Sequence, residues 1–146
     1  MKVDFQKIIV SIISILICLN LSAHDPNDIT YLFDEDRLKI ELTPTSILDL
    51  IDQITPANQN NEIMKLSNYD CLLDNYFNNH IELYTNGKRI YLIYVRRDLK
   101  SHNGYLEFQL SHKLKNDSDA SIKIDAFHEV YLTVHEQIIL HGTRIK

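Results

Sequence analysis

The dipeptide Asn86-Gly87 is the feature that most restricts the fold of this chain. It lies between two stretches rich in Ile, Leu and Tyr, His80–Thr85 and Lys88–Val95. Asn-Gly readily supplies the two positive φ angles of a tight hairpin turn, so the sequence predicts an antiparallel hairpin here. Because Lys88–Val95 is apolar on both alternating faces, we expect it to be a central strand of a sheet.

Two strands and two helices are predicted ahead of this hairpin. Ile29–Phe33 and Arg37–Leu42 have strand patterns, and a short acidic segment of residues 34–36 joins them. Thr43-Pro44 matches a helix start, with Thr43 as the cap and Pro44 in the first turn. Apolar residues then recur at helical spacing in two segments: Ile47, Leu48, Leu50, Ile51 and Ile54, followed by Ile63, Leu66, Tyr69, Leu72, Leu73, Tyr76 and Phe77.

The remainder of the chain has strand character. A charged loop is predicted at 96–103, and the expected strands are Gly104–His112, Ser121–Asp125, Glu129–Val134 and Ile138–Ile145. The order of elements is therefore two strands, a helical pair and a longer run of strands. This order predicts an α+β fold, an antiparallel β-sheet or sandwich with the helical pair inserted after the first two strands.

The first 23 residues have the layout of a secretory signal peptide. Lys2 and Lys7 precede or border an apolar run from Ile8 to Leu21, and the small residues Ser22-Ala23 offer a cleavage site. We expect residues 1–23 to be a signal peptide and residues 24–146 to be a single exported α+β domain in the periplasm or at the cell surface. No membrane span is expected after cleavage, because no long apolar run follows residue 23.

The charge of the chain argues against a nucleic-acid partner, and its cysteine content argues against a disulfide bond. The net charge is −5 and there is no basic run, so the sequence has no electrostatic footprint for nucleic acid. Cys18 lies inside the leader, which leaves Cys71 alone and excludes an intrachain disulfide in the mature domain. Cys71 follows Tyr69-Asp70 within the second predicted helix, and we expect it to be a buried small apolar residue.

Two His-Glu pairs match only the first half of the zinc-protease motif. His128-Glu129 and His135-Glu136 would each need a second histidine four residues after the first, but those positions hold Leu132 and Ile139. No nucleophile elbow or phosphate-binding loop is present either. The sequence thus predicts a non-enzymatic envelope domain, without a cofactor, that binds a partner protein or a ligand.

A metal site is the alternative function. Cleavage after Ala23 would leave His24 as the first residue, and its free amine and imidazole can chelate one metal ion. With a further histidine, such nitrogen ligands favour copper or nickel. His135 and His141 are the candidate partners of His24, although a continuous strand would place those two about 20 Å apart.

Three segments carry a resemblance to known proteins. They are His24-Asp25-Pro26 directly after the leader, Asp70 to Phe77 (DCLLDNYF) at the end of the second predicted helix, and the hairpin from Ile81 to Lys88 (IELYTNGK). This layout resembles a family of small exported bacterial proteins of unknown function, and is similar to the extracytoplasmic N-terminal domain of hydrogenase/urease nickel-accessory permeases. The resemblance implies a β-rich envelope module linked to metal handling or membrane assembly, with no catalytic residues to map.

Overall fold

A computed structural model of the chain describes residues 27–55, 66–98, 104–114 and 120–145, so the leader, His24 and Ile63 lie outside the described residues. These parts contain two helices and nine strands, which confirms the α+β fold with the helical pair after the first two strands. In chain order they are β1 (Asp28–Phe33), β2 (Arg37–Leu42), α1 (Pro44–Ile54), α2 (Leu66–His80), β3 (Ile81–Thr85), β4 (Lys88–Ile90), β5 (Leu92–Asp98), β6 (Gly104–Leu110), β7 (Ser121–Ile124), β8 (His135–Leu140) and β9 (Thr143–Ile145).

The described strands form two sheets. A six-stranded sheet has the order β5-β6-β2-β1-β8-β9, and a three-stranded sheet has the order β4-β3-β7. Neighbouring strands are antiparallel except β1 and β8, which pair in parallel from Asp28↔His135 to Phe33↔Leu140. The parallel pair places β8 beside the first strand of the domain, although more than 100 residues separate them.

One face of the six-stranded sheet is buried and the other faces outward. In β1 the buried residues are Ile29, Tyr31 and Phe33, and in β2 they are Leu38, Ile40 and Leu42, in strict alternation with more exposed neighbours. This is the pattern expected of an antiparallel sheet with one solvated face. The buried side chains of both sheets and both helices join in a single hydrophobic core.

The helices begin and pack largely as their sequences predict. Thr43 caps α1, because its side-chain oxygen accepts a hydrogen bond from the Ser46 amide at 3.2 Å. Ile47 and Leu50 are fully buried, whereas Leu48 is 56% exposed and does not belong to the buried face. Within the described residues, neither helix is long and apolar enough to cross a membrane.

The second helix departs from its prediction at one residue. Cys71 is exposed, so the expectation that it is buried is wrong. The residues of α2 that reach the core are Leu73, Tyr76 and Phe77. Cys71 precedes Leu73 by two positions, and two positions correspond to roughly 200° around a helix. It therefore lies on the side of α2 that faces away from the core.

The Asn86-Gly87 hairpin is confirmed, but the strand after it is not central. Asn86 has φ 48° and Gly87 has φ 70°, and the turn joins β3 to β4. At Tyr91 the chain leaves the three-stranded sheet and enters the other sheet as its edge strand β5. The prediction of one central strand at Lys88–Val95 is therefore wrong. The exposed apolar residues of β5, Ile93 and Val95, lie on the face of the sheet opposite the buried Leu92.

The predicted strand at Glu129–Val134 is also wrong. Residues 126–130 form a turn, in which the amides of Val130 and Tyr131 both donate to the Phe127 carbonyl at 2.9 Å. Phe127 is fully buried and has φ 69°. Its burial holds the turn against the core, and this tertiary contact overrides the strand preference of the residues that follow.

Candidate functional site

An ionic bridge crosses three strands on the outer face of the six-stranded sheet. Glu107 on β6 accepts hydrogen bonds from Arg37 Nη1 on β2 at 2.9 Å and from Arg96 Nε on β5 at 2.7 Å. Glu107 is only 9% exposed. The side chains of Arg37 and Arg96 are 61% and 62% exposed. One almost buried carboxylate therefore positions two exposed guanidinium groups.

A β-bulge in β5 creates this arrangement. The pair Tyr94↔Phe108 is followed by Arg96↔Glu107, so Val95 is the extra residue in β5. In a regular register Val95 would lie opposite Glu107. Bulges commonly re-aim a side chain in this way. The bulge therefore brings Arg96, rather than Val95, into hydrogen-bond contact with Glu107.

The electrostatics of the bridge favour the charged forms of its members. The hydrogen bond from Arg96 and the positive charges of Arg96 and Arg37 lower the pKa of Glu107, although partial desolvation acts in the opposite direction. The hydrogen bond to Glu107 in turn raises the pKa of Arg96. Glu107 is thus an ionised anchor across the neutral pH range.

An aromatic residue extends the cluster along β6. The Tyr105 ring lies 4.6 Å from the Lys39 ammonium and 5.7 Å from the Arg96 guanidinium, measured to the ring centre. Both distances lie within the range of cation–π attraction. Lys39 also pairs with Glu41 at 2.7 Å. Two cations, Lys39 and Arg96, therefore contact one ring on the outer face, and Arg37 lies near them against Glu107.

Two adjoining hollows lie against this cluster, and we call them together the outer groove. One has a volume of about 330 Å³ and includes Val95, Gln109 and Asp36, and the other has about 290 Å³ and includes Tyr105, Lys39 and Asp34. Arg37, Arg96 and Glu107 line both. Both hollows are shallow clefts that are open to solvent.

Exposed apolar side chains lie beside the outer groove on β5 and at the residue just before it. Tyr91, Ile93 and Val95 are 52%, 51% and 50% exposed, respectively. Ile93 lies opposite Gln109 and shares its face of the sheet. Arginine and aromatic residues are enriched at the centres of protein interfaces, whereas isolated exposed apolar residues are common on any surface. The combination suits contact with a partner.

The free edge of β5 is closed to an added strand by side chains of α2. Asn78 accepts a hydrogen bond from the Leu92 amide and donates one to the Leu92 carbonyl, both at 2.8 Å. Asp74, one helical turn earlier, accepts a hydrogen bond from the Tyr94 amide. Side chains thus replace a neighbouring strand, which is one way that proteins protect sheet edges. A partner at β5 must therefore use its face.

A second polar cluster lies on the inner side, around the turn of residues 126–130. His80 contacts Asp125 at 2.9 Å and Glu129 at 3.5 Å, one through each ring nitrogen. His128 Nε2 lies 3.6 Å from Glu136 Oε1. The two His-Glu sequence pairs are therefore brought together in space, with partners different from their sequence neighbours.

Burial perturbs two groups beside this cluster, Glu136 and Tyr31. Desolvation raises the pKa of Glu136, and desolvation together with the charge of Glu136 raises the pKa of Tyr31 well above its usual range. Among the described residues the buried Tyr31 hydroxyl has no hydrogen-bond partner, and the nearest cation to the buried Glu136 Oε1 is His128 Nε2 at 3.6 Å. Tyr76 accepts a hydrogen bond from the Phe127 amide at 2.7 Å. These contacts hold the turn to α2 and the sheet.

The structure separates the candidate metal ligands. His135 begins β8 and contacts Asp28 at 3.2 Å, whereas His141 follows β8 and its amide donates to the Phe33 carbonyl. About 20 Å of strand lies between them. No group of three or more potential ligands able to hold a metal ion occurs in residues 27–55, 66–98, 104–114 and 120–145. A site at His24 stays a prediction.

The outer groove was not predicted from the sequence, although part of its signal was present. Residues 105–109 alternate polar and apolar side chains, which indicates a solvated face on β6. The predicted loop at 96–103 includes Arg96, and this prediction is wrong for residues 96–98 because β5 continues to Asp98. The bulge that brings Arg96 to Glu107 has no local sequence signature.

Comparisons with protein-family models, curated proteins and solved structures find no match to this chain.

Proposed function

We propose that this protein is exported through its leader and acts as a non-enzymatic domain that binds a partner protein in the periplasm or at the cell surface. The layout of residues 1–23 supports export. The resemblance to small exported proteins and to the extracytoplasmic domain of nickel-accessory permeases is consistent with an envelope location. The outer groove is the proposed binding surface.

The observation that carries the proposal is the pair of arginines held by Glu107 beside exposed apolar residues. Positioned arginines lose less conformational entropy on binding than free ones. Ile93 and Val95 add apolar area next to them. The closed edge of β5 leaves the sheet face as the accessible surface of this strand.

Site-specific photo-crosslinking in the exported protein tests this surface. A photoreactive residue at position 95 should form an adduct of defined mass with one partner. The same residue at Lys123, an exposed position on β7, is the matched control and should form none. Arg96→Glu should abolish the adduct at position 95. Equal labelling at positions 95 and 123 would contradict the proposal.

Export has a separate test. Sequencing the N-terminus of the exported protein should give His24 as the first residue. Full-length protein with its leader intact in the cytosol would contradict the proposed export. It would not affect the proposal that the outer groove binds a partner.

The metal-binding alternative gains one observation from the fold. The register Asp28↔His135 places the start of β1 beside His135. Four residues of chain span at most about 14 Å, so His24 is within reach of His135, and His141 lies at the far end of β8. In this alternative His24 and His135 bind copper or nickel. Calorimetry with Cu²⁺ or Ni²⁺ should show an affinity for the metal that falls with His135→Ala. The exposed control His112→Ala should leave this affinity unchanged. If the protein binds neither metal, the metal-binding alternative is wrong.

A further inference from the structure

We infer that the partner of the outer groove presents a carboxylate flanked by apolar side chains, in an extended acidic–apolar peptide segment. This inference rests on the proposed function and names the chemistry of its partner. It follows from the hydrogen-bonding capacity, the charge and the apolar border of the groove.

The groove offers hydrogen-bond donors in excess. A guanidinium group carries five N–H donors. Arg37 and Arg96 each make one hydrogen bond to Glu107, through Nη1 and Nε respectively. Arg37 Nε also lies 3.8 Å from Asp36 Oδ1. The two side chains are 61% and 62% exposed, so their other N–H groups face solvent and can donate to a ligand. Both Glu107 oxygens are already used, so a ligand that complements the centre of the groove must bring its own acceptors.

A carboxylate is the acceptor that best fits these donors. Arginine binds carboxylates through paired, charge-assisted hydrogen bonds. Glu107 holds the two guanidinium groups on either side of itself, whereas the Lys39 ammonium beside Tyr105 is already paired with Glu41. Arg37 and Arg96 share the one carboxylate of Glu107, so the middle of the groove, away from Asp36 and Glu41, attracts an anionic group.

Acidic residues limit where the anion can lie. Asp34 and Asp36 line the groove at the β1–β2 turn. Their charges repel a second carboxylate at that end. The groove therefore favours an isolated acidic side chain over a continuous acidic run.

The apolar border selects a peptide over a small acid. Val95 lines the groove, and Ile93 lies on the same face two residues earlier in β5. Each is about half exposed, at 50% and 51%. A peptide with apolar residues beside its carboxylate covers these side chains, and their burial adds affinity that a free small acid does not provide.

Fluorescence anisotropy with synthetic peptides tests the inference. The probe is a labelled Leu-Glu-Val-Leu peptide with blocked ends, and its controls replace Glu by Gln or all three apolar residues by Gly. The Glu peptide should bind, the Gln peptide should bind at least about tenfold more weakly, and the Gly peptide should also be weaker. Affinity should fall as salt rises.

Protein variants locate the binding to the groove. Arg96→Gln and Arg37→Gln should each weaken the Glu peptide about tenfold, and Arg96→Lys should weaken it less. Lys123→Gln, the same change of charge on the other sheet, should have no effect. Circular dichroism verifies that each variant is folded. The salt dependence of peptide affinity is measured on the unmodified protein, so it does not rely on the folding of any variant.

The outcomes separate this inference from the proposed function. Equal binding of the Glu and Gln peptides, or no binding up to about 1 mM, would overturn the acidic assignment. If the photoreactive residue at position 95 still forms its adduct in that case, the proposal that the outer groove binds a partner protein is unaffected. Peptide binding that is unaffected by both arginine variants would place the acidic ligand elsewhere and overturn the inference.

Discussion

Glu107 shows how much a single residue can organise on an otherwise solvated sheet face. Its carboxylate is nearly buried under two arginine side chains that it also orients. Surface ion pairs usually contribute little because solvent screens them. The Glu107 carboxylate differs from such pairs because it is nearly buried and accepts two charge-assisted hydrogen bonds. We therefore expect its replacement to lower the stability of the protein.

We expect Glu107→Gln to destabilise the protein by about 1 kcal/mol at pH 7, after allowance for the exposed arginines. The lowered pKa of Glu107 means that the fold favours its ionised form. Its contribution is therefore present above the unfolded pKa of about 4.3 and is lost as pH falls through the folded pKa. Urea unfolding at pH 7 and at low pH measures the free energy of unfolding. The values of the unmodified protein and of Glu107→Gln should become equal in acid. A constant difference between them would contradict the assignment.

Glu136 should behave in the opposite way. Burial raises its pKa, so the fold favours the protonated form. Its favourable contribution is present below the unfolded pKa and is lost as pH rises through the folded pKa. Glu136→Gln, which stays neutral, should be more stable than the unmodified protein by about 0.5 kcal/mol at pH 7, and this gain should shrink in acid. Chemical unfolding across pH 4–8 provides the test; a variant that is less stable at pH 7 would show that the contact with His128 prevails.

At the scale of elements, the contact between α2 and β5 determines which surface of the sheet is accessible. Asp70, Asp74 and Asn78 recur every four residues, so they form one row along the helix. Asp70 binds Arg97 at 3.0 Å, and the other two bind the backbone of β5. The row protects the edge strand without a further strand.

Removing the amide of Asn78 should expose this edge. Asn78→Ala leaves both backbone groups of the buried residue Leu92 without their partner, and we expect a loss of about 2–3 kcal/mol. Asn75→Ala on the exposed side of the same helix is the control and should change stability by less than about 0.5 kcal/mol. Thermal unfolding gives the stabilities, and light scattering should detect association of the Asn78 variant through its open edge. Equal stability of the two variants would show that the edge is protected by other means.

At the scale of the whole molecule, one aromatic cluster connects the layers. Phe77 on α2 lies 5.1 Å from Phe108 on β6 and 5.9 Å from Phe127 in the turn, measured between ring centres. The core that contains them spans both sheets. Shared packing of this kind couples the sheets, so we expect the domain to unfold cooperatively.

Phe77→Ala should therefore destabilise both sheets together by about 3–5 kcal/mol, because it leaves a cavity at their junction. Near-ultraviolet and far-ultraviolet circular dichroism in urea should report one coincident transition at a lower midpoint. Leu48→Ala, at a 56% exposed position of α1, should change the midpoint little. Two separate transitions in the unmodified protein would show that the sheets fold independently.

Local sequence patterns determined the elements whose stabilising contacts are near in the chain. The alternation in β2, the Thr43 cap and the Asn86-Gly87 turn each depend on residues a few positions apart, and all three are predicted correctly. These patterns also supported the α+β class, because the order of elements restricts how they can pack.

Contacts between distant residues decided the remainder, and they include the proposed site. The change of sheet at Tyr91, the parallel pairing of β1 with β8 and the buried turn at Phe127 all depend on side chains that meet only after the core has formed. The meeting of Arg37, Arg96 and Glu107 needs three paired strands and a bulge. No local pattern encodes such a register, since the energy that selects it comes from packing and hydrogen bonds across the whole domain.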